Sequence, residues 1–434
     1  MTANPPFPDI RSLWQETVSR RPVFDALTGG HQFDVAIIGG GYTGLSTARY
    51  LARRGLCAVV LEASQIGWGA SGRNGGVVSG KFRLSFSDIA ARYGVETARR
   101  MHDLGIEAID HVGELVEDYG IASADYRPTG ALRCAHNQIS LDSLKKEVAW
   151  LKTALGDHAC SILSTEQMQA ETGSRDFVGG MLNTHGGVIH PLNFVLGMAA
   201  GLKAAGIAIH ERSPVTAIRR DRDGIVLETP GGTVSAAQVV IATNSYSDLT
   251  PATSAVRKSV IPFRSAMIAT APLTGNPGEG LLSQRRSYTE TRRMMRWFRR
   301  AGDRLLYGGR GAFGKSDSEN AFAALHKAMV RQFPDLASIS VTHRWSGLVA
   351  MTMDSIPHLG RIDDRVVYAV GYNGTGVALA SNMGRYVAAM IAGEKPDLGL
   401  LTSVPLKTVP LYPIREPAVR LVAGWYQFLD AIGR

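Results

Sequence analysis

Cysteine is scarce: the 434-residue chain holds three, Cys57, Cys134 and Cys160, far apart and without a CxxC spacing. That argues against a disulfide framework, a zinc site of paired cysteines or a dithiol redox motif, and it fits a reducing compartment. There is no HExxH, no P-loop and no Cys/His cluster, so metal-dependent hydrolysis and phosphoryl transfer have no foothold. No serine sits in a nucleophile-elbow context. No run reaches the roughly 20 apolar residues of a membrane span. Met1–Pro22 lacks the apolar core of a signal peptide. No membrane contact is expected, and the expected location is the cytoplasm. Repeats and low-complexity segments are absent too.

What is present begins with size. A chain this long exceeds one ordinary hydrophobic core, so more than one domain is expected. Its 48 glycines imply many tight turns or close backbone approaches to a ligand. The formal net charge of +9 comes from scattered arginines with one dense patch at 285–304. There TRRMMRWFRR mixes cations with Trp297 and Phe298. The pattern reads as a solvated strand pair around AGDR, with a carboxylate-binding role or a nucleic-acid surface as the alternatives.

FDVAII at 33–38 is a short buried strand running into GGGYTG. Leu45, Ala48, Leu51 and Ala52 then recur at helical spacing until Gly55. LCAVVLE at 56–62 is the next strand, which makes a βαβ unit and implies a doubly wound parallel sheet. Gly39, Gly41 and Gly44 match GxGxxG in that required context. Gly39 permits the turn, Gly41 admits a pyrophosphate beside Tyr42 and Thr43, and Gly44 lets helix and strand pack closely. The helix N-terminus favours phosphate. Glu62, leading into Ala63 and Ser64, would accept from ribose hydroxyls, and an acid there disfavours a 2′-phosphate.

NAD or FAD remains. The next stretch, QIGWGASGRNGG at 65–76, discriminates between them, because an NAD domain needs no second glycine-rich loop directly after the acid. Gly69, Ala70, Ser71, Arg73, Asn74 and Gly75 offer backbone N–H groups, small side chains beside which a flavin ring can lie flat, and one cation. Further along, 84–182 reads as mostly amphipathic helix. GGVIHP at 186–191 then leads into a helix, strands follow at IAIHE, VTAIR, IVLET and AQVVIAT, and PGG at 230–232 makes a hairpin turn. VVYAVGYNGTGVALASNMG at 366–384 is a second strand, glycine turn and helix, and the chain closes on an amphipathic helix.

Taken in order, IIGGGYTGLSTARYLARRG, Glu62, GWGASGRNGG, GGVIHP, VVIATNSY, WSGLVAMTMDSIPHLG and YAVGYNGTGVALASNMG resemble the FAD-dependent D-amino acid oxidase family. Within it they are most similar to the γ-glutamylputrescine oxidoreductases, where GYTGLS and GWGASGRNGG recur. The resemblance implies that Ser71–Gly75 run beside the ribityl chain and flavin. It also implies that Val215 contacts adenine and that Ala242, Thr243 and Asn244 close over the pyrophosphate. Gly371, Asn373, Gly374, Thr375, Gly376 and Val377 would bring a helix N-terminus to the flavin, where a positive dipole end suits reduced-flavin charge. Some relatives tether FAD through a cysteine shortly before T-x-D or a histidine near the first loop. Here TMD is Thr352–Asp354, the cysteine's place falls at Gly347 and the loop has no histidine, so non-covalent FAD is expected.

The expected architecture is a Rossmann-like FAD domain from 32–83, 186–246 and 345–393. An α+β substrate domain would come from the insertions 84–185 and 247–344, with an N-terminal arm at 1–31 and a helical tail at 394–434 packed on the surface. Substrate-pocket candidates are Tyr246, Tyr372, His190, Arg264 and Arg310, the arginines as clamps for a carboxylate. Structural roles compete for each of them, capping for His190 and ion pairing for the arginines. The expected chemistry is oxidation of the CH–NH bond of an amine or amino acid, a γ-glutamylated amine included, by hydride transfer to flavin. The imine then hydrolyses and dioxygen returns as hydrogen peroxide. A dehydrogenase using another electron acceptor, an NAD-linked dehydrogenase and a basic nucleic-acid-associated flavoprotein are the alternatives, and monomer and dimer both remain open.

Overall fold

The computed structural model describes residues 11–222, 224–275, 278, 280–312 and 317–431. Strands β1 (Gly29–Ile38) and β2 (Ala58–Leu61) flank the helix Tyr42–Ala52, and β3 (Val77–Val78) follows the second glycine loop. After the helix Val95–Asp118 come β4 (Ala131–Ala135), β5 (Cys160–Leu163) and β6 (Gly179–Asn183). Next are β7 (Gly187–Val188), the helix Pro191–Ala204, β8 (Ala208–His210), β9 (Ala217–Arg220), β10 (Ile225–Thr229) and β11 (Gly232–Ile241). A run of β12 (Ile261–Thr270), β13 (Ser287–Glu290), β14 (Arg296–Ala301) and β15 (Arg304–Ala312) leads through the helix Glu319–Gln332 to β16 (Val341–Met351). Strands β17 (His358–Arg361) and β18 (Val366–Val370) precede the helices Gly376–Ile391 and Arg415–Ala431.

The first sheet runs β17-β18-β11-β1-β2-β8, with β9 and β10 folded onto β11. Strand β1 pairs in parallel with both β2 and β11. Side chains alternate between two dry faces: Val35, Ile37 and Val60 join the core under the helices, while Ala36, Ile38, Val59 and Leu61 join the core on the β9–β10 side. A strand buried on both faces must be apolar throughout, which is why VAII and AVVL read as continuous runs rather than alternating ones.

The second sheet runs β16-β12-β15-β14-β13-β4-β6-β5 and is antiparallel except for the parallel pair β13–β4. Leu132, Ile268, Tyr288, Phe298 and Tyr307 bury one of its faces together with Phe322 and Met329 of the Glu319–Gln332 helix. The opposite face looks toward the first sheet.

The 84–182 region is mostly helix, as its pattern implies, and it also supplies the short strands β4, β5 and β6. Those strands are four or five residues long, too short for a period-two pattern to stand out among amphipathic helices. Segment 345–351, grouped above with the nucleotide-binding pieces, is hydrogen-bonded into the second sheet through β12. The arginine-rich hairpin β14–β15 is not solvated, because it lies in the interior of that sheet and Arg299 and Arg300 are buried. Arg292 pairs with Glu290 and Asp176, and Arg296 also reaches Glu290 at 3.6 Å. Arg292, Arg296, Arg299 and Arg300 are thus paired or buried within the fold rather than presented together on a solvated strand pair.

The arm and the tail also have places, apart from residues 1–10 and 432–434, which lie outside the described residues. Trp14 is 1% exposed and sits in the main core. The tail helix lies on the surface with Leu421, Val422 and Trp425 outward. Among the described residues no helix is long and apolar enough to cross a membrane.

Candidate active site

Strand β1 ends at Ile38, and the chain turns at Gly39 with φ +108°. The following helix begins at Gly41 with no side-chain cap, so its first N–H groups stay available to an anion. Of these, Tyr42 N donates to Ser71 Oγ at 3.1 Å. A Cβ at Gly44 would stand 1.9 Å from the Gly39 carbonyl oxygen, so nothing but glycine lets this helix pack so closely on its turn.

Glu62 follows β2 and closes the turn from beside it. One carboxylate oxygen accepts from Gly40 N at 2.8 Å and the other from Ser64 N at 2.9 Å. Burial pushes this carboxyl above the usual carboxylate range, and those two backbone donors pull it back.

The second glycine loop is held from both ends. Asn74 folds it on itself, donating to the Ala70 and Ser71 carbonyls and accepting from Gly76 N. Trp14 Nε1 donates to Asn74 O at 2.8 Å and Trp345 Nε1 to Arg73 O at 2.9 Å. Arg73 donates to Trp68 O and stacks its guanidinium 4.3 Å from the Trp68 ring centroid. Its Nη2 is buried with no hydrogen-bond partner, an unsatisfied donor at the place where the sequence puts a ligand.

A second uncapped helix starts at Gly376. Its preceding turn carries Gly371 and Asn373 at positive φ. Asn244 Oδ1 accepts from Gly371 N at 2.9 Å, and the Tyr372 hydroxyl meets Thr43 Oγ1 at 2.6 Å. The two glycine turns are therefore tied to each other directly.

These parts surround one cavity of about 660 Å³. Its far wall is the open face of the second sheet, and the strand register explains which side chains reach it. Met267 (β12), Gly308 (β15), Trp297 (β14), Thr289 (β13), Arg133 (β4) and Met181 (β6) stand opposite one another in a single row across six strands. A Cβ at Gly308 would come 2.3 Å from Trp297 Nε1, so this glycine makes room for the indole to lie across the sheet.

Most residues singled out from sequence line this cavity: the Gly39–Thr43 turn, Glu62, Ala63, Gly69–Ser71, Arg73–Gly75, Val215, Ala242–Asn244, Asn373–Val377, Tyr246, Tyr372 and Arg310. Gly44, Ser64 and Gly371 act from behind it through the contacts above. Two substrate candidates fall away. His190 lies outside the lining and caps the Pro191–Ala204 helix: Nδ1 accepts from Asn193 N at 3.1 Å, and Nε2 meets Thr17 Oγ1 at 3.0 Å. Burial beside Arg299 drops its pKa to about 4. Arg264 also lies outside, bonded to Ser346 Oγ and Asp317, because β12 alternates and sends Phe263, Ser265 and Met267 inward instead. Tyr372 stays in the wall, but its hydroxyl is committed to Thr43.

His190→Ala is accordingly expected to lower stability by about 1 kcal/mol in denaturant titration, the usual worth of a cap, with substrate KM unchanged.

Sequence reasoning missed Trp68, Lys81, Arg133, Met267 and Trp297, all of which line the cavity. Trp297 stood out only as an aromatic within the arginine patch. Lys81 carried no signal, because only the tertiary path of its loop brings it inward.

A cavity bounded by two uncapped helix starts, an acid in the ribose position and a loop whose arginine keeps one buried, unsatisfied Nη2 fits an adenine dinucleotide carrying a flavin. The chain belongs to the FAD dependent oxidoreductase (DAO) family, whose model matches residues 34–390. It is 31% identical over 425 residues to the gamma-glutamylputrescine oxidoreductase of Escherichia coli (strain K12), covering 97% of this chain and 98% of that protein. It is 32% identical over 436 residues to the probable oxidoreductase OrdL of Rhizobium meliloti (strain 1021), covering 99% and 100%. Among solved structures, glycine oxidase from Geobacillus kaustophilus superimposes with a TM-score of 0.71 over 86% of this chain and 100% of that one. At 24% identity that likeness establishes the fold.

Proposed function

We propose that the protein oxidises the CH–NH bond of an amine or amino acid using FAD bound non-covalently in this cavity. The observation that carries the reading is the single cavity shared by the two glycine turns and the Met267–Trp297 wall. Similarity to a gamma-glutamylputrescine oxidoreductase and to a glycine oxidase supports the substrate class. Bound FAD supplies the two-electron acceptor.

The chain's own residues do the rest. The helix start at Gly41–Thr43 holds the pyrophosphate, and Glu62 holds the ribose hydroxyls. Arg73 and the Asn74-folded loop seat the flavin. The Gly376 helix start faces it with a positive dipole end, which favours negative charge there. Trp297, Met267 and Tyr246 form an apolar wall that excludes water and orients the amine, so its effective concentration at the reacting bond rises. Three free cysteines fit a cytoplasmic location.

A peroxide-coupled screen of amines and amino acids tests the oxidase form. Peroxide released in step with substrate consumption is expected, whereas turnover with an artificial acceptor but no peroxide would assign a dehydrogenase. After acid precipitation the yellow colour should leave with the supernatant, and a yellow pellet would refute non-covalent binding.

A further inference from the structure

The cavity wall away from the flavin loop is cationic. Lys81 and Arg83 come from the loop after β3, Arg133 from β4 and Arg310 from β15, and all four line the cavity. None has a carboxylate partner among the described residues; Arg310 makes only a 3.4 Å contact to the Arg293 carbonyl. The Arg133 side chain is open to water although its strand is interior to the sheet, as a side chain projecting into an internal cavity must be. Glu147, the acid whose charge bears on Arg133, is occupied by Phe86 N and the Ser87 hydroxyl.

The loop is fixed rather than loose. Gly80 lies so close to Gly105 of the Val95–Asp118 helix that a Cβ at Gly80 would stand 2.0 Å from the Gly105 carbonyl oxygen. That backbone contact pins Lys81 in place. Burial among Arg133 and Arg310 lowers its pKa to about 7. Arg133 stands two strands from Trp297 in the same row, roughly 10 Å at the spacing of neighbouring strands. Trp297 Nε1 in turn lies 3.2 Å from a Cβ built on Gly75 of the flavin loop.

We propose that Lys81, Arg133 and Arg310, with Arg83 at the rim, bind a doubly anionic end of the substrate. The compound oxidised is then an amine carrying two negative charges about 10 Å from the flavin loop. The assignment rests on the amine-oxidising reading above. One carboxylate can be clamped by one arginine. Three inward cations without acid partners call for more charge than that, since like charges crowded in a partly dry site repel strongly.

Lys81 faces Arg133 on β4 and Arg310 on β15, with Arg83 on its own loop. His102, Asp157, Glu147 and Tyr426 line the cavity from the remaining elements, and His102 is bonded to Asp157. An arriving dianion raises the proton affinity of Lys81, so binding takes up a proton just above neutral pH.

The test is calorimetry on the FAD-loaded full chain, in two buffers of different protonation heat, with glutarate, propyl phosphate, valerate and valeramide as probes. Glutarate or propyl phosphate should bind at least about tenfold tighter than valerate, the worth of one further charge-assisted contact, and should take up a proton. Whichever of the two is tighter identifies the anion as carboxylate or phosphate. Lys81→Met and Arg133→Met should each erase the preference at unchanged FAD content, Arg133→Lys should retain part of it, and Lys81→Met should abolish proton uptake.

Equal affinity for glutarate, propyl phosphate and valerate would overturn the proposal, as would an intact preference in both Met variants. If either Met variant loses FAD, the parent and Arg133→Lys still decide. Amines that reduce the flavin without regard to tail charge would sink this inference alone. A strong dianion preference with no amine reducing the flavin would sink the functional reading instead.

Discussion

Gly44→Ala should purify as a nearly colourless protein. The added Cβ would meet the Gly39 carbonyl oxygen at 1.9 Å and Ile37 Cγ2 at 3.2 Å. The first of these is backbone, so no side-chain rotation relieves it, and the helix must move off the turn. It cannot move freely, because Leu45, Ala48 and Leu51 are fully buried on its inner side. Overpacking of this kind costs about 1–3 kcal/mol in a well-packed core. The displacement also takes the N–H groups at the helix start away from the phosphates they would bind. Flavin per chain, from the ratio of visible to ultraviolet absorbance, should fall below about a tenth of the parent's, since about 1.4 kcal/mol of lost affinity is already tenfold. Gly424→Ala, with nothing within 4 Å and an ordinary φ, is the matched control and should remain fully yellow.

Glu62→Gln should separate cofactor affinity from stability. The carboxylate is the acceptor for two backbone donors and the proposed acceptor for the ribose hydroxyls. Loss of charge-assisted bonds there costs about 1.5–3 kcal/mol each, or roughly a hundredfold in FAD affinity. Stability should move the other way. Burial raises the carboxyl above its unfolded value, so between those two pKa values the folded chain holds more protons than the unfolded one. Stability therefore falls as pH rises through that window, and the cost of the buried charge is fully present at neutral pH. The cofactor-free glutamine variant should be at least as stable as the cofactor-free parent at neutral pH. The two should converge on acidification as Glu62 protonates. Thermal melts of both proteins across that range, alongside FAD titrations, check the pair of effects.

The two variants probe the part of the molecule that was most legible. A strand, a glycine turn, a helix and an acid lie within one local βαβ unit, so each residue's place follows from its neighbours in sequence. The glycine loop at 65–76 was legible for the same reason, although its clamps were not: Trp14 and Trp345 reach it from far along the chain. The second sheet was the least legible element. Its parallel pair β13–β4 joins segments about 150 residues apart, Ser287 opposite Ala131, and no local pattern specifies such a partner. The candidate arginines show the same limit. Arg310 and Arg264 were indistinguishable as strand arginines, and only the register of β12 against β15 shows that one faces the cavity and the other Asp317. The dense arginine patch misled because composition says nothing about pairing: Arg292 pairs with Glu290 from within the patch and with Asp176, which tertiary structure brings in.

The most direct test of the central claim is the visible spectrum of the purified protein before and after anaerobic addition of amines and amino acids. A resolved flavin spectrum that bleaches with at least one amine, and returns on admission of air or an artificial acceptor, is the predicted result. A protein that carries no flavin and takes up none from added FAD would contradict the account, and so would a bound flavin that no amine or amino acid reduces.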